Sequence, residues 1–332
     1  MGRELPPMHK YIIRRLLLTV VVILGVTLLT FLSIHLAGDP TFFYVSERAS
    51  AEERQAARER LGFDRPLHVQ YFDFLINLAR GDTGNSLAHR VPAFDVVMER
   101  MPATLELTIG GFLLSTIVAF PIGVLAATRR GTMTDGTLML GAMLGQSMPS
   151  FWLGLMFILF FGVTLRWMPV SGHVPFIKPL LEGRVDEALL NLPNAIRYLL
   201  MPMVAVSVYS ISRNSRLIRS AVLEVLRQDY VVTARAKGLN ERTVMIRHAI
   251  RNALIPIVTV LALQFAFLLN GVIVVETVFS WPGVGRLVFD AVNQRDVPLV
   301  MTAVVLLSFL FVGANLIADL LYGFLDPRIR LE

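Results

Sequence analysis

Residues Asp229 to Pro256 read DYVVTARAKGLNERTVMIRHAIRNALIP, a polar and basic stretch between two apolar runs of membrane-crossing length. It carries too much charge to lie in lipid. Tyr230 to Lys237 is helix-friendly text that stops at Gly238, where a residue without Cβ can take the left-handed backbone that ends a helix. A second helical half follows. Within it Leu239, Val244, Ile246 and Ile250 interleave with Arg242, Arg247 and Arg251, the pattern of a short amphipathic piece lying across a membrane surface rather than through it. A partner could grasp such a piece, although basic composition alone fits equally an ordinary loop whose arginines only fix topology.

Working outward, the 332 residues are 55% hydrophobic and only 17% charged, more apolar than a soluble protein of this size normally is. The chain reads as an all-α polytopic membrane protein. Its net charge of +6 comes from arginines clustered beside apolar runs, which argues for topology rather than nucleic-acid binding. The absence of cysteine excludes disulfide staples, thiolate zinc sites and a cysteine nucleophile.

Arg3, Lys10, Arg14 and Arg15 precede a first apolar run, Leu16 to Ile34, too long and too far from any small-residue cleavage site for a signal peptide. We expect an uncleaved helix over 1–36 with its amino terminus inside. An extracytoplasmic segment, 37–103, follows. In it Ser50-Ala51-Glu52-Glu53 has the form of a capping box. Leu67, Tyr71, Phe74, Leu75 and Leu78 recur at helical spacing, predicting an amphipathic helix at the outer membrane surface. A role in receiving a binding protein and a plain solvated insertion are both open for this segment.

The second crossing runs from Leu105 to Ala127 and is stopped by Arg129 and Arg130; the third, Leu138 to Leu165, is longer than a bilayer needs and should tilt or project. Inside the third, Gln146, Ser147 and Ser150 surround Pro149, a set suited either to lining a wet path or to packing helices. Trp167 to Arg197 is read as an outer segment with a short helix near Leu180 to Asn191. The fourth crossing is Tyr198 to Ile218, the fifth Leu254 to Val275 with Gln264 and Asn270, and the sixth Leu299 to Leu321. Between the last two, Trp281, Pro282, Gly283 and Gly285 spell a tight turn with an interfacial aromatic anchor. Arginine and lysine number 17 on the inner side in this arrangement, against six in the short outer loops and eight in the long first one. Six helices with both termini inside are therefore favoured.

Some chemistry is missing from the text. The three lysines, Lys10, Lys178 and Lys237, lack the glycine and hydroxyl neighbours of a phosphate loop, and no H-E-x-x-H occurs. No catalytic residue, cofactor or metal site is expected. The intramembrane acids noted, Asp319 and Glu276, lie towards opposite ends rather than at the midplane where an ion-coupled carrier would place them.

TARAKGLNERTVMIRHAIRNALIP, together with LGFDRPLHVQYFDFLINLARGDTGNSL (Leu61 to Leu87) and IVVETVFSWPGVGRL (Ile273 to Leu287), resembles the permease subunits of ATP-binding-cassette (ABC) importers of the dipeptide/oligopeptide branch. The general signature opens Glu-Ala-Ala where this chain has Val232, Thr233 and Ala234, and its proline falls late at Pro256; both are usual in the peptide branch. The resemblance implies the type I importer permease fold, with a core of five crossings over 104–322, a coupling loop over 221–253 and a cytoplasmic tail at 323–332. It implies an inner-membrane location in a bacterium. It also implies four partners besides membrane lipid: a second homologous permease, two cytoplasmic ATPase subunits or domains, and an extracytoplasmic solute-binding protein. ATP and magnesium would be held by the ATPases, not by this chain. ATP binding would draw the ATPases together, carry the docked loops along and tilt the permeases from inward-facing to outward-facing. The expected docking residues are Ala234, Arg235, Ala236, Lys237, Gly238 and Leu239, with Asn240, Glu241, Arg242, Val244 and Met245 behind them. Gln146, Ser147, Ser150, Gln264 and Asn270 are path candidates, and Trp281, Pro282, Gly283 and Gly285 a candidate outer gate. Peptides are the solute implied; nickel, glutathione or another small solute uses relatives of the fold. A stand-alone secondary carrier and a membrane enzyme are the readings from other classes.

Overall fold

The structure, a computed structural model, describes residues 8–36, 39–43, 45 and 49–325. Residues 1–7 and most of the expected tail at 323–332 lie outside them. The chain runs through α1 (Met8–Leu36), α2 (Ala51–Arg60), α3 (Leu67–Ala79), α4 (Ala93–Thr128), α5 (Met133–Ser147), α6 (Ser150–Phe157), α7 (Ile177–Leu181), α8 (Val185–Leu226), α9 (Asp229–Ala236), α10 (Glu241–Thr243), α11 (Arg251–Val278), α12 (Val284–Asn293) and α13 (Val297–Leu325). π-helical turns extend α6 through Ile158–Thr164 and α10 through Val244–Ile250.

Among the described residues four helices, α1, α4, α8 and α13, are long and apolar enough to cross a bilayer, and α5 with α6 makes a sharply bent apolar pair at the place of the expected third crossing. The remaining expected run falls on α11, whose 28 residues reach about 42 Å. The capping box forms as expected: Glu53 N donates to Ser50 Oγ at 3.1 Å, and Ser50 N to a Glu53 carboxylate oxygen at 2.8 Å.

Three expectations are corrected. The third crossing does not simply tilt; it bends by 99° between α5 and α6. Met148, directly before Pro149, takes an extended backbone with ψ 124°, because the proline ring disfavours a helical residue ahead of it. The outer segment before the fourth crossing keeps a loop and a short helix, α7, but the expected helix near Leu180 to Asn191 is not one piece. Residues from Val185 onward belong to one 42-residue helix, α8, which tolerates Pro193 and Pro202 and starts with Asp186 and Glu187 against its positive end. Likewise α4 begins at Ala93, twelve residues before the expected start of its crossing, with Pro102 inside it.

Lipid offers no hydrophobic drive between spanning helices, so close packing must hold them. The α4–α8 pair shows how. A Cβ on Gly123 would stand 2.7 Å from the Ile218 Cβ and the Ser215 carbonyl, so only glycine lets the two backbones approach. Higher up, Ser207 Oγ donates to the Gly111 carbonyl at 3.0 Å. One buried cluster gathers Ala119, Ile218, Val222, Ala253 and Ile257 near the basic loop; another, around Leu107, Val272, Val275 and Trp281, fills the opposite half. α1 stands outside this core against α13, where Arg15 meets Asp319 at 2.8 Å.

Candidate functional site

The basic stretch folds as a hook of two short helices at the end of α8. Its inner face is small and apolar: Val231, Ala234 and Val244 are buried against Val225 and Leu226. Gly238 joins the halves at φ +80°, with nothing within 4 Å of where a Cβ would stand, so backbone geometry and not crowding calls for glycine there. Asn240 caps the second half, its side chain accepting from Thr243 N at 2.8 Å. Across the bend, Arg235 holds Glu241 through two hydrogen bonds of 2.6 and 3.1 Å, which keeps the Glu241 carboxyl below its ordinary range and the guanidinium above its own. Asn252 Nδ2 donates to the Tyr230 hydroxyl at 3.0 Å, tying the hook back to α11.

Of the expected docking residues, Arg235, Ala236, Lys237, Gly238, Leu239, Asn240, Glu241 and Arg242 are exposed together. Ala234 and Val244 turn inward as part of the hook's own core, and Met245 packs against the cluster around Ile257. The expected apolar stripe is therefore split. Val244 is buried and Ile250 half-buried, while Leu239, in the turn after Gly238, and Ile246 face out at 42% and 56% exposure; between Val244 and Ile250, hydrogen bonds spanning five residues shift the side chains out of the 3.6-residue register. Val232, not among the expected docking residues, adds a third exposed apolar side chain. Beside the hook, Asp135 binds Arg219 through two bonds of 2.7 Å, and a basic groove of about 500 Å³ is lined by Arg130, Arg219, Arg227, Glu224 and Gln228.

The path candidates sit on separate helices. Gln146 accepts from Arg216 Nη1 at 2.6 Å and the exposed Ser147 donates to its own helix at Met143, on one side of the 99° break; Ser150 opens the other side. Gln264 is only 4% exposed, and neither amide atom has a hydrogen-bond partner among the described residues. Asn214 on α8, which was not among the path candidates, is in the same condition. The Asn270 side chain lies outside the described residues.

At the far end the Trp281 turn is not an interfacial anchor. Trp281 is 1% exposed; its Nε1 donates to the Ala103 carbonyl at 2.8 Å and the His173 ring meets it edge-on at 4.4 Å. The glycines of this turn make room for a carboxylate: a Cβ on Gly283 would lie 2.0 Å from Glu276 Oε1, and one on Gly285 would lie 2.6 Å from Ile273 Cα. Glu276 is fully buried. It accepts from Thr104 Oγ1 at 2.8 Å and Arg286 N at 3.0 Å, while Thr104 Oγ1 in turn accepts from Val284 N at 2.8 Å. Two further buried carboxylates sit nearby. Glu106 accepts from Phe176 N, Ile177 N and His173 Nε2 at 2.6–2.7 Å. Asp296 accepts from Ser86 Oγ at 2.5 Å, Ala88 N at 3.1 Å and Leu299 N at 3.2 Å. Glu106 was legible as an acid inside the second apolar run, yet only Glu276 and Asp319 were noted.

A bundle of membrane-crossing helices with an exposed hook at one end has the architecture of a membrane permease subunit. The comparisons specify which. Residues 119–331 match the family described as binding-protein-dependent transport system inner membrane component, and residues 8–108 match its amino-terminal companion; the chain belongs to this family. It is 41% identical over 333 residues to the di/tripeptide transport system permease protein DppB of Pseudomonas aeruginosa, covering 97% of this chain and 99% of that one. Against the dipeptide permease protein DppB of Escherichia coli K12 the identity is 40% over 336 residues, with the same coverage. The oligopeptide permease protein AppB of Bacillus subtilis is 36% identical over 325 residues, covering 97% of this chain and all of AppB. An inward-facing crystal structure of the MetNI methionine ABC transporter shares the fold, with a TM-score of 0.55 at 17% identity over 70% of this chain and 96% of that one. The type I importer permease fold expected from the sequence is thus the fold observed.

Proposed function

We propose that this permease moves short peptides inward across the cytoplasmic membrane, paired with a second permease and driven by two ATPase subunits that seize the hook. The observation that carries the reading is near full-length likeness to permeases named for di-, tri- and oligopeptide transport, joined to a hook whose outward face is left bare. Both termini and the hook lie on the cytoplasmic side, and the Trp281 turn lies outside, where a solute-binding protein delivers peptide. Arg235 to Arg242 form the docking face; Ala234, Val244 and Met245 shape it from behind. ATP-driven closure pulls the hook, and the pull enters the bundle where the hook packs on Val225 and Leu226. It biases two packings of the helices, and no chemistry by this chain is needed. Gln264 and Asn214 supply unmet amide groups inside the bundle, where a hydrated path could satisfy them.

The test is reconstitution in vesicles with the neighbouring transport subunits and the binding protein. Uptake of a labelled dipeptide should require ATP, and Gly238→Val should leave insertion intact while abolishing solute-stimulated ATP hydrolysis. Uptake by this chain alone on an ion gradient, or normal uptake by the variant, would overturn the reading.

A further inference from the structure

The contact between α1 and α3 sits at an unexpected depth. The apolar span of α1 ends at Ser33, yet the Tyr71 hydroxyl of α3 lies 3.0 Å from Thr27 Oγ1 and 3.0 Å from the Leu24 carbonyl. Those partners lie six and nine residues before the end of the span, about 9 and 14 Å below it at 1.5 Å per residue. Phe31, 5% exposed, is covered from the same side, its ring 5.5 Å from Tyr71 and 6.2 Å from Phe74. His35 reaches Gln70 at 3.0 Å, which sets the upper edge of the contact.

The apolar arc of α3 is also wider than α1 can cover. At 100° per residue, Tyr71, Phe74 and Leu78 point at α1, while Phe72 and Ile76 stand about 120° or more round the helix at 61% and 48% exposure. Asp73 and Asn77 occupy the remaining edge. On α1 itself Val21 and Leu29 are 64% and 66% exposed, on a helix that has lipid for its surroundings.

We infer that α3 is an in-plane membrane helix whose Phe72–Ile76 flank lies among the acyl chains of the leaflet at the carboxyl-terminal end of α1. Hydrocarbon is the occupant because the flank belongs to a helix held against membrane-crossing α1 at a depth set by Thr27 and Leu24, with no other part of the described chain covering it. Amphipathic helices in this position bury their apolar face by about 5–10 Å, and the long Tyr71 side chain carries its hydroxyl to that depth and beyond. Past Gly81 and Gly84, both in left-handed backbone, the next residues are fixed to Asp296 through Ser86 and Ala88. Residues 67–92 therefore form a lipid-seated strut from α1 to the corner between α12 and α13. The inference rests on α1 crossing the membrane and not on what is transported.

The chain has no cysteine, so one introduced thiol takes a nitroxide label without competition. Phe72→Cys and Ile76→Cys, with Asp73→Cys and Asn77→Cys as the water-facing pair, would be labelled in the full chain in phospholipid vesicles. Relaxation by oxygen, which concentrates in hydrocarbon, is compared with relaxation by a water-soluble nickel chelate. Oxygen should dominate at 72 and 76, and nickel at 73 and 77. Dominance of nickel at 72 and 76 would overturn the inference, as would labels there immobilised and shielded from both agents, the sign of a protein covering. Should Phe72→Cys fail to insert, Ala79→Cys on the same exposed flank carries the same expectation. Vesicles that fail to transport leave this readout intact, which separates it from the peptide-import proposal.

Discussion

At the end of the bundle around Trp281, Glu106, Glu276 and Asp296 are each at most 6% exposed; Glu106 and Asp296 each take hydrogen bonds from two backbone N–H groups, and Glu276 from one backbone N–H and the Thr104 hydroxyl. At the hook, the comparable acid, Glu241, is 62% exposed and answers to one guanidinium that is itself 41% exposed. Buried acceptors that satisfy backbone donors fix one arrangement, since any shift strands polar groups in a medium with no water to rescue them. A surface ion pair fixes little, because water replaces either partner. The far end is thus held firmly in one geometry, whereas the ion pair across the hook's bend leaves its exposed face free to adjust.

Four substitutions can break or sharpen this contrast. Gly283→Ala should have the largest effect, roughly 3 kcal/mol of stability or failure to accumulate, because its Cβ collides with the Glu276 carboxylate. Thermal unfolding in detergent measures it, and a neutral outcome would show that the cradle yields. Asp296→Ala should cost about 1–3 kcal/mol by leaving Ala88 N and Leu299 N without an acceptor. Faster proteolysis within 84–92 should accompany that loss. Gly238→Ala, with open space around it and only a left-handed backbone to strain, should cost about 1–2 kcal/mol, confined to hydrogen exchange in 229–250.

Arg235→Ala should be smallest, under about 1 kcal/mol. Its pH dependence has a definite sign. Glu241 has a carboxyl depressed below its ordinary value of 4.5, so the pair's stabilisation is full above that pH and fades as pH falls through the lowered value. Wild type and variant should converge in acid. Equal costs for Gly283→Ala and Gly238→Ala would erase the distinction between the two ends.

Apolar runs and the positions of arginine were enough to read the helical membrane architecture, because lipid leaves a spanning backbone few options. The hook's exposed residues were legible through Gly238 and its basic neighbours. What escaped depends on partners distant in sequence. Trp281 looked like an interfacial anchor because nothing in its own stretch names the Ala103 carbonyl or His173. Glu106 has its acceptor role fixed by residues 67 to 71 positions away. The polar text after Arg184 resembled a loop, yet packing against α4 and α7 extends α8 through it. Pro149 announced a weakened helix, but the size of the bend depends on Met148 leaving helical backbone altogether. Ala234 and Val244 could not be told from docking residues because what turns them inward is Val225 and Leu226 at the end of α8, outside their own stretch.

The 42 unbroken residues of α8 measure about 63 Å from Val185 to Leu226, with the hook seated on its final turn and loops of the opposite face at its first. Such a rod acts as a crank. Swinging it by one degree about its middle displaces each tip by about half an ångström in opposite senses. A tug too slight to disturb any side chain at the hook thereby reaches the other face of the membrane with its direction reversed.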